Sequence, residues 1–311
     1  MIPALNSIIG RLHAKQLRLL VALADHGSLL NAAREVSTSQ PAASKALREI
    51  ESIFGTELFI RTNRGLEPTR AGHSVIRHAR LFHADMDNLR AELISVLHGC
   101  GGRVSAGTVM GAVPLVTAAV TALMDRQPQV SVEVLEETSA TLLAQLDEGR
   151  IELAVCRTSV TNVPNRFRSV VLQDETLTVI ANKKHPLASA TVLAVADLAD
   201  ARWVVYRANM PIRRLLEREF HEAGLRMPPH LIETTSAFAT LSLLQRSACC
   251  VALLPTTVAE FCKSLEWACE LPLTVSSRTE PYELVTRRGA TLSPEAQLLI
   301  AALTGVPDIG V

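Results

Sequence analysis

The sequence predicts an α/β protein in three parts: a small helical head, one long helix, and a larger body of strands and helices. Three observations carry this prediction. Residues 14–55 contain three apolar stripes at helical spacing. Residues 71–98 hold no helix breaker other than Gly72, and strand and helix patterns alternate from residue 103 onward. Because 311 residues exceed the roughly 100–200 of one domain, several compact units are expected.

Composition and charge describe a globular chain whose parts differ. Hydrophobic residues make up 48% of the chain and charged residues 20%, which excludes intrinsic disorder. The formal net charge is zero, but residues 1–97 hold 12 basic and 9 acidic side chains, so an excess of +3 there balances −3 over 98–311. With neither a secretory signal nor an apolar run of membrane-spanning length, the sequence predicts a cytoplasmic protein with no membrane partner.

The head is predicted as three short helices with recognisable ends. The first helix carries apolar residues at i, i+3, i+4 and i+7 and ends at Gly27, after which Ser28 caps the second. Ser39 caps the third helix, with Pro41 in its first turn, where a missing N–H costs nothing. This third helix is expected to end at Gly55.

One face of the third helix offers polar and cationic side chains, with no carboxylate before Glu49. Two helices joined by a tight turn, the second with such a face, describe a helix-turn-helix whose recognition helix enters a major groove. Gln40 suits an adenine edge, and Lys45 or Arg48 suits a guanine edge or a phosphate. A generic three-helix bundle with a solvated polar face fits this pattern equally well.

A short hairpin is predicted next, from residues 58–61 and 66–69, with Arg61 and Arg64 near its tip. A basic wing beside a recognition helix grips phosphates or a minor groove. The hairpin therefore favours the DNA-binding interpretation of the head.

Residues 14–78 resemble, in order and without a gap, the winged helix-turn-helix of LysR-type transcriptional regulators. The matching motifs are GSLLNAA at 27–33, SQPAASK at 39–45, LFIR at 58–61 and PTRAG at 68–72. The resemblance implies that promoter DNA is the partner, with RNA polymerase as a further candidate. Together, pattern and resemblance give the candidate DNA-binding residues Ser39, Gln40, Pro41, Ser44, Lys45, Arg48, Arg61 and Arg64.

The long helix carries a narrow apolar seam that predicts a coiled coil. The seam alternates in steps of four and three, through Val75, Ala79, Phe82, Met86, Leu89, Leu93 and Val96. The alternative is that the stripe packs on the body of its own chain. The resemblance implies a dimerisation helix, hence a homodimer that reads a pseudo-palindromic site and assembles further into a tetramer.

The body alternates strands and helices, which predicts a mostly parallel sheet in each of two halves. Polar residues gather where strands end, and such ends bind ligands in open α/β sheets. Hydroxyls and free N–H groups there favour an anionic ligand, with Arg157 or Arg207 as counter-charge. The candidate effector-binding residues are Thr138, Ser139, Arg157, Thr158, Tyr206, Arg207, Thr235 and Ser236. For each serine or threonine alone, an ordinary helix cap is the simpler interpretation.

The order of elements in the body is similar to the two-lobed effector-binding domain of the same family, a fold like that of periplasmic substrate-binding proteins. The resemblance implies a small organic acid as effector and no cofactor. It also implies a winged head over residues 1–70, a linker helix over 71–98 and an effector domain over 99–311. Within that domain the first lobe is expected to hold residues 103–163 and 280–311, and the second 164–279.

Other classes find little support in the sequence. No catalytic, phosphate-loop or dinucleotide motif occurs, so no enzyme and no catalytic residue is predicted. The six cysteines lack CxxC spacing and predict neither a metal site nor a disulfide framework. Two alternatives stay open: a two-lobed small-molecule-binding protein, and a redox sensor on the same scaffold that uses Cys262 and Cys269.

Overall fold

The computed structural model describes residues 3–63, 65–98, 101–208, 210–275 and 279–305. The chain divides into two compact units, one formed by residues 1–103 with 144–152 and the other by 104–143 with 153–311. Within the described ranges, no helix is both long and apolar enough to cross a membrane.

The first unit contains a helical head, a hairpin and a long helix. Its elements are α1 (Leu5–Ile9), α2 (Ala14–His26), α3 (Leu29–Glu35), α4 (Gln40–Phe54), β1 (Phe59–Thr62), β2 (Gly65–Pro68) and α5 (Arg70–His98). Ser28 Oγ accepts from Asn31 N at 3.5 Å, and Ser39 Oγ accepts from Ala42 N at 3.3 Å. The predicted caps of α3 and α4 are therefore confirmed. Helix α1 was not predicted.

The head has one apolar core, to which every helix from α2 to α5 contributes. Its buried side chains include Leu20, Leu23, Ala33, Leu47 and Ile50 on the helices, and Leu58 just before β1. Those on the helices recur at helical spacing along α2 to α4, as the apolar stripes predict. The polar face of α4 is left outside this core, and this leaves it open to a partner.

The hairpin is held to the head by hydrogen bonds and a close backbone contact. Glu51 Oε1, on α4, accepts from Leu58 N at 2.8 Å and from Phe59 N at 3.3 Å. At the start of α5, a Cβ on Gly72 would lie 2.0 Å from the Leu58 carbonyl oxygen, so only glycine fits there. These contacts fix the hairpin relative to α4.

The predicted seam of α5 divides into two parts. Val75 packs against the core of the head, and Ala79 is fully buried. For Val75 the seam prediction was wrong, because this residue packs on the head's own core, and Ala79, being fully buried, is not part of an exposed seam. The exposed part runs through Phe82, Met86, Leu89 and Leu93, which are 37–51% exposed. The side chain of Val96 lies outside the described residues.

The second unit holds two five-stranded sheets. The first has the order β4-β3-β5-β12-β6. Its strands are β3 (Arg103–Thr108), β4 (Ser131–Glu136), β5 (Leu153–Cys156), β6 (Phe167–Gln173) and β12 (Tyr282–Arg287). Three helices accompany this sheet in the chain: α6 (Val113–Arg126), α7 (Ser139–Asp147) and α11 (Pro294–Thr304). This sheet, with α6, α11 and the start of α7, forms the first lobe, whereas residues 144–147 of α7 belong to the first unit.

The second sheet has the order β11-β7-β10-β8-β9 and forms the second lobe. Its strands are β7 (Leu177–Asn182), β8 (Arg202–Val205), β9 (Ile232–Glu233), β10 (Cys250–Pro255) and β11 (Ala268–Leu271). The helices of this lobe are α8 (Pro211–Glu222), α9 (Ala237–Arg246) and α10 (Thr256–Ser264).

Both sheets are mixed, whereas the alternating pattern predicted mostly parallel ones. Strand β12 runs antiparallel to β5 and β6, and β7 runs antiparallel to β10 and β11. The antiparallel strands are those that follow each passage of the chain between lobes. The first passage comes after Gln173, since β6 pairs with β12, and the boundary predicted at residue 164 is therefore too early.

Candidate functional site

The recognition helix α4 keeps its predicted polar face free of the core. Gln40, Lys45 and Arg48 are exposed, and Ser44 is half-buried. Lys45 Nζ lies 3.8 Å from the carboxylate of Glu49, with both side chains largely in solvent. An exposed pair of this kind contributes little, so Lys45 is free to turn toward a phosphate.

Two of the predicted DNA-binding residues shape the start of α4. Ser39 uses its hydroxyl to cap the helix, and Pro41 occupies its first turn. Both side chains are exposed. The cap fixes the first turn of α4 and therefore the position of Gln40. In a recognition helix, the residues at this N-terminal end contact base edges.

The wing follows the predicted hairpin. Arg61 is exposed on β1 and lies opposite Leu66 on β2. Thr69 Oγ1 donates to Glu57 O at 2.9 Å and closes the base of the hairpin. Arg64, which was predicted near the tip, lies outside the described residues. The described part of the head thus offers cations on α4 and on the wing.

In the first lobe, two predicted effector residues join the ends of β4 and β5. Thr138 Oγ1 accepts from Thr141 N at 3.3 Å and caps α7. Ser139 Oγ accepts from Arg157 N at 3.2 Å, which links the start of α7 to the end of β5. The Thr138 hydroxyl is therefore a helix cap, whereas the Ser139 hydroxyl joins the start of α7 to Arg157.

Arg157 is already neutralised by a carboxylate. Its guanidinium pairs with Glu175, donates from Nε to Glu280 O at 3.0 Å, and lies 4.7 Å from the centre of the Tyr282 ring. The side chains of Arg157 and Glu175 are only 11% and 3% exposed. Burial raises the pKa of Glu175, and Arg157 partly offsets this shift. Arg157 thereby contacts both segments that connect the lobes.

Thr158 is also committed to a carboxylate of its own lobe. Its backbone N–H and its hydroxyl donate to Glu283 Oε2 at 2.8 and 2.6 Å. The hydroxyl therefore has a strong internal acceptor and is less available to a ligand than the sequence pattern suggests.

Tyr206, just after β8 in the second lobe, contacts the first lobe. Its hydroxyl donates to Met110 Sδ at 2.6 Å. Burial raises the Tyr206 pKa, and the nearby carboxylates Glu136 and Glu175 raise it further. The pKa of Glu136 is itself raised, first by burial of its carboxyl group and then by Glu137. Tyr206 thus faces two carboxylates at the junction of the lobes.

Sequence reasoning missed Met110, Glu136 and Glu175. Glu136 ends β4, so the strand-end rule that selected Thr138 would also have selected it. Met110 follows β3 in the same way. Glu175 carries no sequence signal, because it lies in a connection whose course depends on the pairing of β6.

The remaining predicted residues of the second lobe lie at its surface. Arg207 and Thr235 are exposed. Ser236 caps α9, since its Oγ accepts from Ala239 N at 3.2 Å. Within the described ranges, the guanidinium of Arg207 makes no ion pair, so it is the uncommitted cation next to Tyr206.

The cysteines do not form a reactive centre in the described part of the chain. Burial raises the thiol pKa of Cys262 and of Cys269. Burial also raises that of Cys156 to about 12. Thiols with raised pKa values are poor nucleophiles, which disfavours the redox-sensor alternative. Cys100 lies outside the described residues, and no cluster of His, Cys, Asp and Glu among the described residues fits a metal ion.

Comparison with known proteins matches both parts of the chain to one family. Residues 14–73 match the bacterial regulatory helix-turn-helix protein, lysR family, and residues 99–307 match the LysR substrate binding domain. The chain is 32% identical over 308 residues to the HTH-type transcriptional regulator GbpR of Azospirillum brasilense, covering 98% of this chain and 90% of that protein. It is 30% identical to the HTH-type transcriptional regulator GalR of Pseudomonas putida, covering 94% and 74%.

Solved structures share the fold. The crystal structure of CbnR, a LysR family transcriptional regulator, has a TM-score of 0.61 at 19% identity and covers 94% of this chain and 98% of its own. Full-length CbnR complexed with its target DNA has a TM-score of 0.60 at 19% identity, covering 94% and 99%. Members of the family are transcriptional regulators rather than enzymes. The chain belongs to the LysR family of DNA-binding transcriptional regulators, with a winged helix-turn-helix head and an effector-binding domain.

Proposed function

We propose that this regulator binds a pseudo-palindromic promoter site as a homodimer and changes its activity when a small organic acid binds between its lobes. The observation that carries the DNA part is the exposed face of α4, where Gln40, Lys45 and Arg48 stand clear of the core. We place this activity in the cytoplasm, where promoter DNA lies. RNA polymerase is a further partner in this proposal.

On the DNA, the residues on the polar face of α4 contact either base edges or phosphates. Gln40 pairs with an adenine edge, and Ser44 reaches the neighbouring base or phosphate. Lys45 and Arg48 contact guanine edges or phosphates, and Arg61 of the wing grips the adjacent backbone. The CbnR–DNA complex, which shares the fold, supports DNA as the partner.

Dimerisation rests on the exposed seam of α5. Phe82, Met86, Leu89 and Leu93 place large apolar side chains in solvent at steps of four and three residues. A narrow stripe of this spacing is stabilised by a second helix packed against it. Two protomers joined in this way present two recognition helices to the DNA. Two such dimers then assemble into a tetramer, which presents four.

The effector site is proposed at the junction of the lobes, around Tyr206 and the ends of β4 and β5. Arg207 is the counter-charge for an acid, because Arg157 is already paired with Glu175. The neighbouring Glu136, whose pKa is raised, accepts a proton when an anion binds beside it. The effector switches the protein only if it binds two lobe arrangements with different affinity.

A gel-shift assay with the DNA upstream of the protein's own gene tests the DNA part. We expect a sequence-specific shift at low salt and a weaker one for Lys45→Ala, because one phosphate or guanine contact per protomer is lost. Arg126→Ala, which removes an exposed cation at the end of α6, is the matched control. Absence of a specific shift for the unaltered protein contradicts the proposal.

A thermal-shift screen of the intact protein tests the effector part. Organic acids, neutral polyols and amines of similar size are compared, since a ligand that binds the folded state raises its melting temperature. Stabilisation by organic acids supports the proposal. Stabilisation only by polyols or amines contradicts the anionic class.

A further inference from the structure

A polar groove separates the recognition helix from the segment that precedes the family's helix-turn-helix motif. The groove has a volume of about 560 Å³, and its walls come from the turn after α1 and from the outer face of α4. Its lining includes Arg11 and His13 on one side and Lys45, Arg48 and Glu49 on the other. The family match begins at residue 14, so Arg11 and His13 lie ahead of it.

The segment that forms the far wall is folded rather than extended. Gly10 N donates to Asn6 O at 3.0 Å, and Leu12 N donates to Ile8 O at 2.9 Å. Leu12 packs on the core of the head. This anchoring fixes the backbone of Arg11 beside the recognition helix, while its exposed side chain remains able to reach a ligand.

The charges that line the groove are mostly positive. Arg11, Lys45 and Arg48 face it, with Glu49 as the carboxylate among the lining residues. Lys45 lies 3.8 Å from that carboxylate, whereas Arg11 makes no ion pair within the described ranges. The lining therefore favours an anion. Arg11 is a lining cation that can pair with such an anion without first leaving a carboxylate.

Lys45 and Arg48 belong both to this groove and to the face that enters DNA. A major groove about 12 Å wide just admits an α-helix, so the flanks of a docked recognition helix run beside the two rows of phosphates. A groove along one flank of α4 lies where such a row passes. We infer that Arg11, with Lys45 and Arg48, forms a clamp on the DNA phosphate backbone, so that the residues ahead of the helix-turn-helix motif extend the DNA-binding site.

Salt dependence of DNA binding by the intact protein tests this inference, which rests on the DNA-binding activity. Each phosphate contact contributes about 0.9 to the slope of log K against log salt. Arg11→Ala should reduce that slope by about 0.9 per protomer and weaken binding roughly eightfold per protomer at 0.1 M salt. Fluorescence anisotropy with the upstream DNA and with a scrambled duplex gives both quantities.

Two variants separate charge from structure. Arg11→Lys keeps a cation in the groove and should retain most of the wild-type slope, whereas Arg126→Ala, in the effector-binding domain, should leave the slope unchanged. The ratio of affinities for specific and scrambled DNA should stay the same in Arg11→Ala, since phosphate contacts carry no sequence information.

Three results would overturn the clamp: an unchanged slope in Arg11→Ala, an equal loss in Arg11→Lys, or a changed specificity ratio. Each is distinct from failure of the wild-type protein to bind, which would remove the DNA-binding proposal itself. A melting temperature equal to that of the wild type shows that Arg11→Ala remains folded.

Discussion

The guanidinium of Arg157 and the carboxylate of Glu175 form an ion pair that is almost completely buried. Arg157 follows β5 in the first lobe, and Glu175 lies just after β6, where the chain passes from the first lobe to the second. Arg157 also donates to the carbonyl of Glu280, on the returning segment. One side chain therefore holds both connections between the lobes.

Arg157→Ala should lower the free energy of unfolding by about 3–5 kcal/mol, because it leaves the Glu175 carboxylate buried without its partner. Urea unfolding of the intact protein measures this change. Combining Arg157→Met with Glu175→Gln removes both charges and should recover much of the loss. A single-variant loss below about 1 kcal/mol would contradict the interpretation of a buried pair.

Arg207→Ala should weaken binding of the organic acid that most stabilises the wild-type protein by roughly tenfold or more, as expected for loss of a charge-assisted hydrogen bond. Isothermal titration of the intact protein measures the affinity. The melting temperature without ligand should hardly change, since Arg207 is exposed. Equal affinities in Arg207→Ala and in the control Arg126→Ala would exclude Arg207 as the counter-charge.

The raised pKa of Glu136 predicts a pH dependence of stability. Above the ordinary value of 4.5 the folded state keeps a proton that the unfolded state has lost, so stability falls as pH rises through the raised pKa. Glu136→Gln should make this slope shallower, while the contribution of Glu175, whose pKa is also raised, remains, and should make the protein more stable at pH 7. Urea unfolding from pH 4.5 to 7 measures both effects. Asp125→Asn, at an exposed site on α6, is the control, and an identical slope in wild type and Glu136→Gln would refute the prediction.

Leu89→Asp should dissociate the dimer, because it places a charge in the middle of the exposed α5 seam. Sedimentation velocity measures the mass in solution. Asn88→Asp introduces the same charge one residue away, off the seam, and should leave the dimer intact. If Leu89→Asp keeps the wild-type mass, the seam is not the dimer interface. A change at Val75 should instead destabilise the head, whose core it contacts.

The head could be predicted closely because its signals are local. Ser28 and Ser39 cap the helices that they were predicted to cap, and Gly27 and Gly55 end helices in the left-handed conformation, with φ of 58° and 66°. Each signal acts within a few residues of its effect. The packing of Val75 on the head could not be predicted in this way, because the core residues that it contacts are distant in sequence.

The effector site was predicted only in outline, because strand ends can be located from the sequence but charge partners cannot. The rule of polar strand ends brought Ser139 and Arg157 together correctly. It gave Arg157 the role of a free cation, whereas the structure pairs it with Glu175. That partner lies just after β6, an edge strand that was missed, so its position depended on pairing with β12 near the other end of the chain.

The position of β12 in the first sheet also has a consequence for biosynthesis. The head is complete once residue 98 has emerged from the ribosome, and the second lobe is nearly continuous in sequence, from β7 to β11. The first lobe, by contrast, has β12 inserted between β5 and β6, so its sheet waits for the last part of the chain. Folding during synthesis therefore proceeds from the head to the second lobe, and the first lobe closes last. In the proposed dimer, nascent protomers would therefore pair through α5 before either could bind the proposed effector.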